Sequence, residues 1–132
     1  MQVLNFFSTV FADQMKRGRK TATIRLGDKS NKYRKNEVVL VTVGQQYSPR
    51  ERLFQAVIDH VEVKRLRELS PRDIEHDNPE SRRLEDLILF LEQLYRREVS
   101  PEDTCTVVRF SQITENPSDM TDRLRGVGGA QN

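Results

Sequence analysis

Hydrophobic and polar positions divide the chain into short segments of contrasting period. Residues 3–7, Val-Leu-Asn-Phe-Phe, read as a short strand. Ser8 then caps a helix with Val10, Phe11 and Met15 on one side and Lys16 and Arg17 in its last turn, where cations suit the helix dipole. Gly18 stands where a left-handed C-cap belongs and ends that helix. Residues 20–26 alternate as a second strand, with Ala22 and Ile24 on the core face and Thr21, Thr23 and Arg25 facing solvent or a groove. Residues 27–35 form a polar loop, and Asn36 is a turn residue suited to positive φ.

The second half follows the same logic. Residues 38–43 are a near-continuous apolar strand closed by Gly44, and residues 45–50 form a loop. Residues 53–63 fit a long strand whose register breaks part-way, as a β-bulge or sheet corner would require. Ser70-Pro71-Arg72-Asp73 starts a short helix, and Asn78-Pro79-Glu80 starts a second in the same manner. Leu84, Leu87, Ile88, Leu91, Leu94 and Tyr95 give that second helix one apolar face. Residues 103–113 are the last strand. The Gly-containing tail, 114–132, has no sustained apolar pattern and is expected to be flexible. The order of elements predicts an α+β domain over residues 1–113: a small β-barrel of about five strands with two to three flanking helices.

The total of 132 residues suits one domain. A formal net charge of +2 conceals a strong asymmetry: residues 16–35 hold nine cations and one acid, a local charge of +8 that leaves −6 elsewhere. Five of the six lysines fall in that window, which is the sequence trace of a polyanion-binding face. No apolar run is long enough to span a bilayer, and no cleavable leader is recognisable, so a cytoplasmic protein that does not engage membranes is expected. One cysteine, Cys105, and two histidines, His60 and His76, predict neither an internal disulfide nor a zinc site, and no cofactor is expected. Cys105 reads as a buried small hydrophobe and His76 as a surface residue.

Candidate chemistry concentrates at residues 18–25, Gly-Arg-Lys-Thr-Ala-Thr-Ile-Arg. Lysine offers an ammonium that becomes a base when desolvated, threonine a hydroxyl for activation, and arginine a planar fork for phosphate or carboxylate. The competing reading is a solvated edge strand with Thr chosen for β-propensity. In a regular strand Lys20 and Thr23 point to opposite faces, so the pair meets only if Lys20 precedes the strand or a bulge intervenes. Tyr33 and Tyr47 flank the basic loop and could stack on bases.

This segment, with Tyr33-Arg34-Lys35-Asn36-Glu37-Val38-Val39-Leu40 behind it, resembles the ASCH family, whose fold is related to the PUA RNA-binding barrel. The resemblance spans roughly residues 3–113, with Asn36-Glu37 where the family usually has Gly-Asp. It implies a cleft facing RNA or a nucleoside, for which Arg19, Lys20, Thr21, Thr23, Arg25, Lys29, Lys32, Tyr33, Arg34 and Tyr47 are the candidate contacts. It is closest to small bacterial members that deacetylate N(4)-acetylcytidine with a Lys, a Thr and a Glu. Carried over by position, Lys20 is the base, Thr23 the nucleophile and Asp77 the acid, with Glu75 the alternative. Three functions follow as expectations: RNA or nucleoside binding first, amide hydrolysis second, RNA cleavage third.

Overall fold

The computed structural model describes residues 1–7, 10–45, 47–79 and 82–113. The expected cap at Ser8 and the tail 114–132 lie outside the described residues. The elements run β1 (Gln2–Phe6), α1 (Val10–Lys16), β2 (Ala22–Leu26), β3 (Val38–Val43), β4 (Glu51–Arg65), α2 (Pro71–Asp77), α3 (Leu84–Tyr95) and β5 (Thr104–Gln112), with a 3₁₀ turn at Leu66–Glu68. The fold class is α+β, as expected.

The five strands form one sheet in the order β1-β3-β4-β5-β2. Only β1 and β3 pair in parallel; the other ladders are antiparallel. The curl comes from β4. Its first half pairs with β3 and its second half with β5, and the β5 register shifts between Ile58 and His60. An extra residue there bends the strand and increases its twist, which is the break foreseen within residues 53–63. The result is a curled half-barrel. Strands β1 and β2 lie at its two ends, and the seam between them is spanned by a side chain: Arg25 Nη2 donates to the Asn5 carbonyl at 2.9 Å.

Two apolar clusters fill the two faces. Inside the curl, Leu4, Phe6, Val39, Val41, Ala56, Ile58, Val108 and Phe110 pack around Phe11 and Met15 of α1. On the other face, Ile24, Leu26, Cys105 and Val107 meet Ile74 of α2 and Leu87 and Leu91 of α3. Strand β5 feeds both clusters, which explains why Cys105, Thr106, Val107 and Val108 are all buried in succession. Cys105 is buried, as expected, and burial pushes its thiol up to about 12.

Two expectations about elements need correction and one is narrowed. The second strand begins at Ala22, so Lys20 and Thr21 precede it. Of solvent and groove, Thr23 faces the groove: it is buried and lines a cleft. Helix α3 begins at Leu84, not at Asn78: Asn78 closes α2, its amide donating to the Ile74 carbonyl at 2.8 Å.

Candidate functional site

The seam between β1 and β2 is a cleft of about 60 Å³ that collects residues from five elements. Asn5 and Phe6 come from β1, Phe11 from α1, Thr23, Ile24 and Arg25 from β2, Asp77 from α2, and Phe90, Leu94 and Tyr95 from α3; Phe7 and Lys20 line it as well. Lys20, Thr23 and Asp77 are at most 5% exposed and form its depth. Phe7, Leu94 and Tyr95 are 38–45% exposed and form its mouth.

Lys20 is placed there by the turn at Gly18, which holds φ +72 after α1. The chain then runs toward α2, where the Thr21 amide donates to the His76 carbonyl at 3.0 Å. At 1% exposure the Lys20 ammonium donates to the Ala22 carbonyl (2.8 Å), the Asp77 carbonyl (2.5 Å) and Asp77 Oδ1 (3.0 Å). Three acceptors thus match its three protons, which offsets the cost of burying a charge. The rings of Phe11 and Phe6, at 4.7 and 5.1 Å, add cation–π attraction. Desolvation nonetheless lowers the Lys20 pKa from its ordinary value; Asp77 opposes that shift and neighbouring Arg25 adds to it. Asp77 Oδ1 also accepts from the Ile24 amide at 3.0 Å, so one carboxylate ties α2 to both Lys20 and β2.

Arg25 is the other fixed cation. Its Nε donates to the Thr23 hydroxyl at 3.2 Å, Nη1 reaches the Tyr33 hydroxyl at 3.5 Å, and the guanidinium lies 5.2 Å from the Phe6 ring centre. The Thr23 oxygen therefore accepts from Arg25, which leaves its own proton to be donated elsewhere. The Tyr95 hydroxyl is anchored by the Leu26 amide at 3.3 Å.

The structure separates the other candidates. Glu75 is not among the residues lining the cleft and pairs with Arg82 at 2.7 Å, whereas Asp77 is the acid that meets Lys20. Tyr33 is 1% exposed and packs within the inner cluster, so its ring is not a base-stacking platform. Lys20 lies in the depth of the site rather than on the basic surface. Arg19, Lys29, Lys32, Arg34 and Tyr47 are exposed, Tyr47 at 97%, and Thr21 is half-buried. The basic loop is pinned at both ends. The Thr106 hydroxyl donates to the Gly27 carbonyl and accepts from the Lys29 amide, while Asn36, at φ 71, donates its amide to the Ile58 carbonyl. With Tyr33 buried between these anchors, the loop's cations face outward. His76 is half-buried and contacts Arg109, which corrects its reading as a surface residue.

Sequence reasoning missed the walls: Asn5, Phe6 and Phe7 read as strand, Phe11 as one side of a helix, and Leu94 and Tyr95 as the end of an apolar stripe, while Phe90 stands outside that stripe. The one available signal was Asn5, a polar residue inside an apolar strand; its Oδ1 accepts from the Thr42 hydroxyl at 2.7 Å. Among the described residues, no group of three or more His, Cys, Asp or Glu side chains converges to hold a metal ion. No helix among them is long and apolar enough to cross a membrane.

No protein-family model matches the sequence, and no curated protein does. Solved structures do. An ASCH domain from Lactobacillus crispatus JV V101 aligns at TM-score 0.63 and 12% identity over 84% of this chain and 79% of its own. Protein EF3133 from Enterococcus faecalis V583 aligns at TM-score 0.63 and 16% identity, covering 87% and 83%. The hypothetical protein PH0355 aligns at TM-score 0.60 and 14% identity, covering 86% of this chain and all of its own. These likenesses are of fold, and the fold is the one that residues 18–25 resembled: the chain has an ASCH-domain fold.

Proposed function

We propose that the protein binds RNA or a modified nucleoside, with one base entering the seam cleft and the exposed cations of residues 16–35 holding phosphates. The observation that carries this reading is the make-up of that cleft. A buried ammonium–carboxylate pair and a threonine hydroxyl lie in its depth, with the half-buried Arg25 guanidinium and the rings of Phe6 and Phe11 lining it and Tyr95 at its mouth. Aromatic walls accept the face of a base, and fixed polar groups read its edge. A volume of about 60 Å³ admits a base edge or a small acyl group, not a duplex. Fluorescence anisotropy with a labelled single-stranded RNA and equilibrium dialysis with free nucleosides test the reading. Binding that weakens steeply with salt for RNA is expected; a folded protein that binds neither probe at low salt would overturn it.

A second reading, hydrolysis of N(4)-acetylcytidine to cytidine and acetate, is favoured by the fact that Lys20, Thr23 and Asp77 all line this one cleft. The Thr23 oxygen would attack the acetyl carbonyl as its proton passes to Lys20, once the lysine is neutral. The lowered Lys20 pKa makes that neutral form more accessible. The tetrahedral intermediate would collapse with proton transfer from Lys20 to the exocyclic nitrogen, and water would then release acetate from the Thr23 ester. Asp77 would hold Lys20 in place throughout. On this reading the wild type releases cytidine, while Thr23→Val, which keeps the shape of the side chain, loses turnover yet still binds cytidine. Absence of turnover by the folded wild type removes hydrolysis and leaves binding standing.

A further inference from the structure

A larger cleft, of about 370 Å³, lies at the C-terminal end of α1, where Met15 and Gly18 line it. The helix gives Phe11 to the seam and Met15 to this second cleft, and Lys20 lines both. The second cleft has three chemically distinct parts. Its depth is apolar, from Met15 and Phe110 (1% and 4% exposed) with Phe54 beside them.

One rim carries Asp59, the residue at the register shift of β4, whose exposed carboxylate accepts from the Ser111 hydroxyl. A bulge re-aims the side chain it carries, and the serine fixes its orientation. Two residues before Ser111 on β5, and on the same face of the strand, stands Arg109. Its guanidinium is clamped by the Asp73 carboxylate and by His76 Nδ1 at 2.8 Å, yet its side chain is 30% exposed. A guanidinium only donates, so Nδ1 is the acceptor and the imidazole proton sits on Nε2. Asp73 and His76 thus present Arg109 as a pre-oriented donor.

An aromatic-lined floor, a lone carboxylate and a clamped guanidinium correspond to the three parts of a nucleotide: base, sugar hydroxyl and phosphate. We propose that this cleft binds a second ribonucleotide unit, with its base over Phe54 and Phe110, its 2′-hydroxyl donating to Asp59 and its phosphate facing Arg109. The choice of ligand class rests on the nucleic-acid reading of the seam; the site itself does not. The carboxylate supplies selectivity, because it accepts from a 2′-hydroxyl and has nothing to accept from at the 2′ position of DNA. The ligand is then a single strand of at least two ribonucleotides spanning the two clefts, rather than a free nucleoside.

The test is a titration of the isotope-labelled full chain with the ribodinucleotide CpC and with its 2′-deoxy counterpart, followed by amide NMR. The Thr21, Ser111 and Gln112 amides report the second cleft, and the Ile24 and Arg25 amides report the seam. Shifts at both sets are expected, with CpC binding about tenfold more tightly than the deoxy probe, the order of one hydrogen bond to a charged acceptor. Asp59→Ala, at an exposed position, should abolish that preference. Shifts at the seam alone, or a preference for CpC that survives Asp59→Ala, would overturn this inference and leave the seam reading intact. Shifts at the second cleft alone would support the site and overturn the seam. Shifts at neither set would overturn both.

Discussion

Lys20 is the residue on which most of the site turns, and its energetics follow from its surroundings. It is one of five lysines in a segment of charge +8, yet it is the one that is buried. Removing the ammonium alone leaves the Asp77 carboxylate buried against apolar rings. Breaking a buried pair from one side costs about 3–5 kcal/mol, so Lys20→Met should lower the urea midpoint by a corresponding amount at unchanged slope. Adding Asp77→Asn should recover most of the loss, since Asn removes the stranded charge while keeping an oxygen for the Ile24 amide. The pH dependence has a defined sign. Because the folded pKa of Lys20 is lowered, the unfolded chain binds more protons between that value and 10.5, and stability contributed by this group rises with pH across the window. Lys20→Met should lack that rise; a variant whose alkaline profile parallels the wild type would show that Lys20 does not supply it.

At the scale of elements, the site depends on where α2 is docked. Ser70 Oγ accepts from the Asp73 amide at 3.1 Å, and Asp73 Oδ2 accepts from the Ser70 amide at 3.0 Å, a reciprocal cap on a helix of only seven residues. Ser70→Ala should cost about 1 kcal/mol, read as a fall of a few degrees in Tm. It should also speed exchange of the Thr21 amide roughly fivefold, since that amide is held by His76 of α2. An unchanged Thr21 exchange rate would mean that α2 stays docked without its cap. This cap was legible because Ser-Pro-x-Asp is a local signal, as were β3, a near-continuous apolar run, and β5, rich in β-branched residues. The start of α3 was misread because Asn78-Pro79 imitates a helix start while Asn78 serves to end α2. Burial of Lys20 and Tyr33, and the seam itself, were not legible. They depend on contacts between residues as distant as Asn5, Arg25, Asp77 and Tyr95, which no local pattern records.

At the scale of the molecule, charge and cleft divide the work. The cations that remain exposed within residues 16–35, among them Arg19, Lys29, Lys32 and Arg34, are carried by the turn before β2 and the pinned loop after it. Lys20 and Arg25 of the same segment are drawn inward and engaged by Asp77, Asn5 and Thr23. The sequence total of +8 therefore overstates the charge available to phosphates, and the two groups should respond differently to substitution. Exposed cations act through counterion release, so Lys29→Ala, Lys32→Ala and Arg34→Ala should each weaken RNA binding about equally for all sequences. Each should also flatten the slope of log K against log salt by about one. Arg25→Lys should do the reverse: lysine keeps the charge but not the planar fork that meets Asn5, Thr23 and the rings of Phe6 and Tyr33. It should leave the salt slope unchanged while reducing affinity for the base in the seam. Anisotropy titrations between 50 and 200 mM salt, roughly the range over which phosphate contacts lose most of their affinity, separate the two classes. An Arg25→Lys variant that changes the slope as Lys29→Ala does would place Arg25 among the phosphate contacts and remove the seam from base recognition.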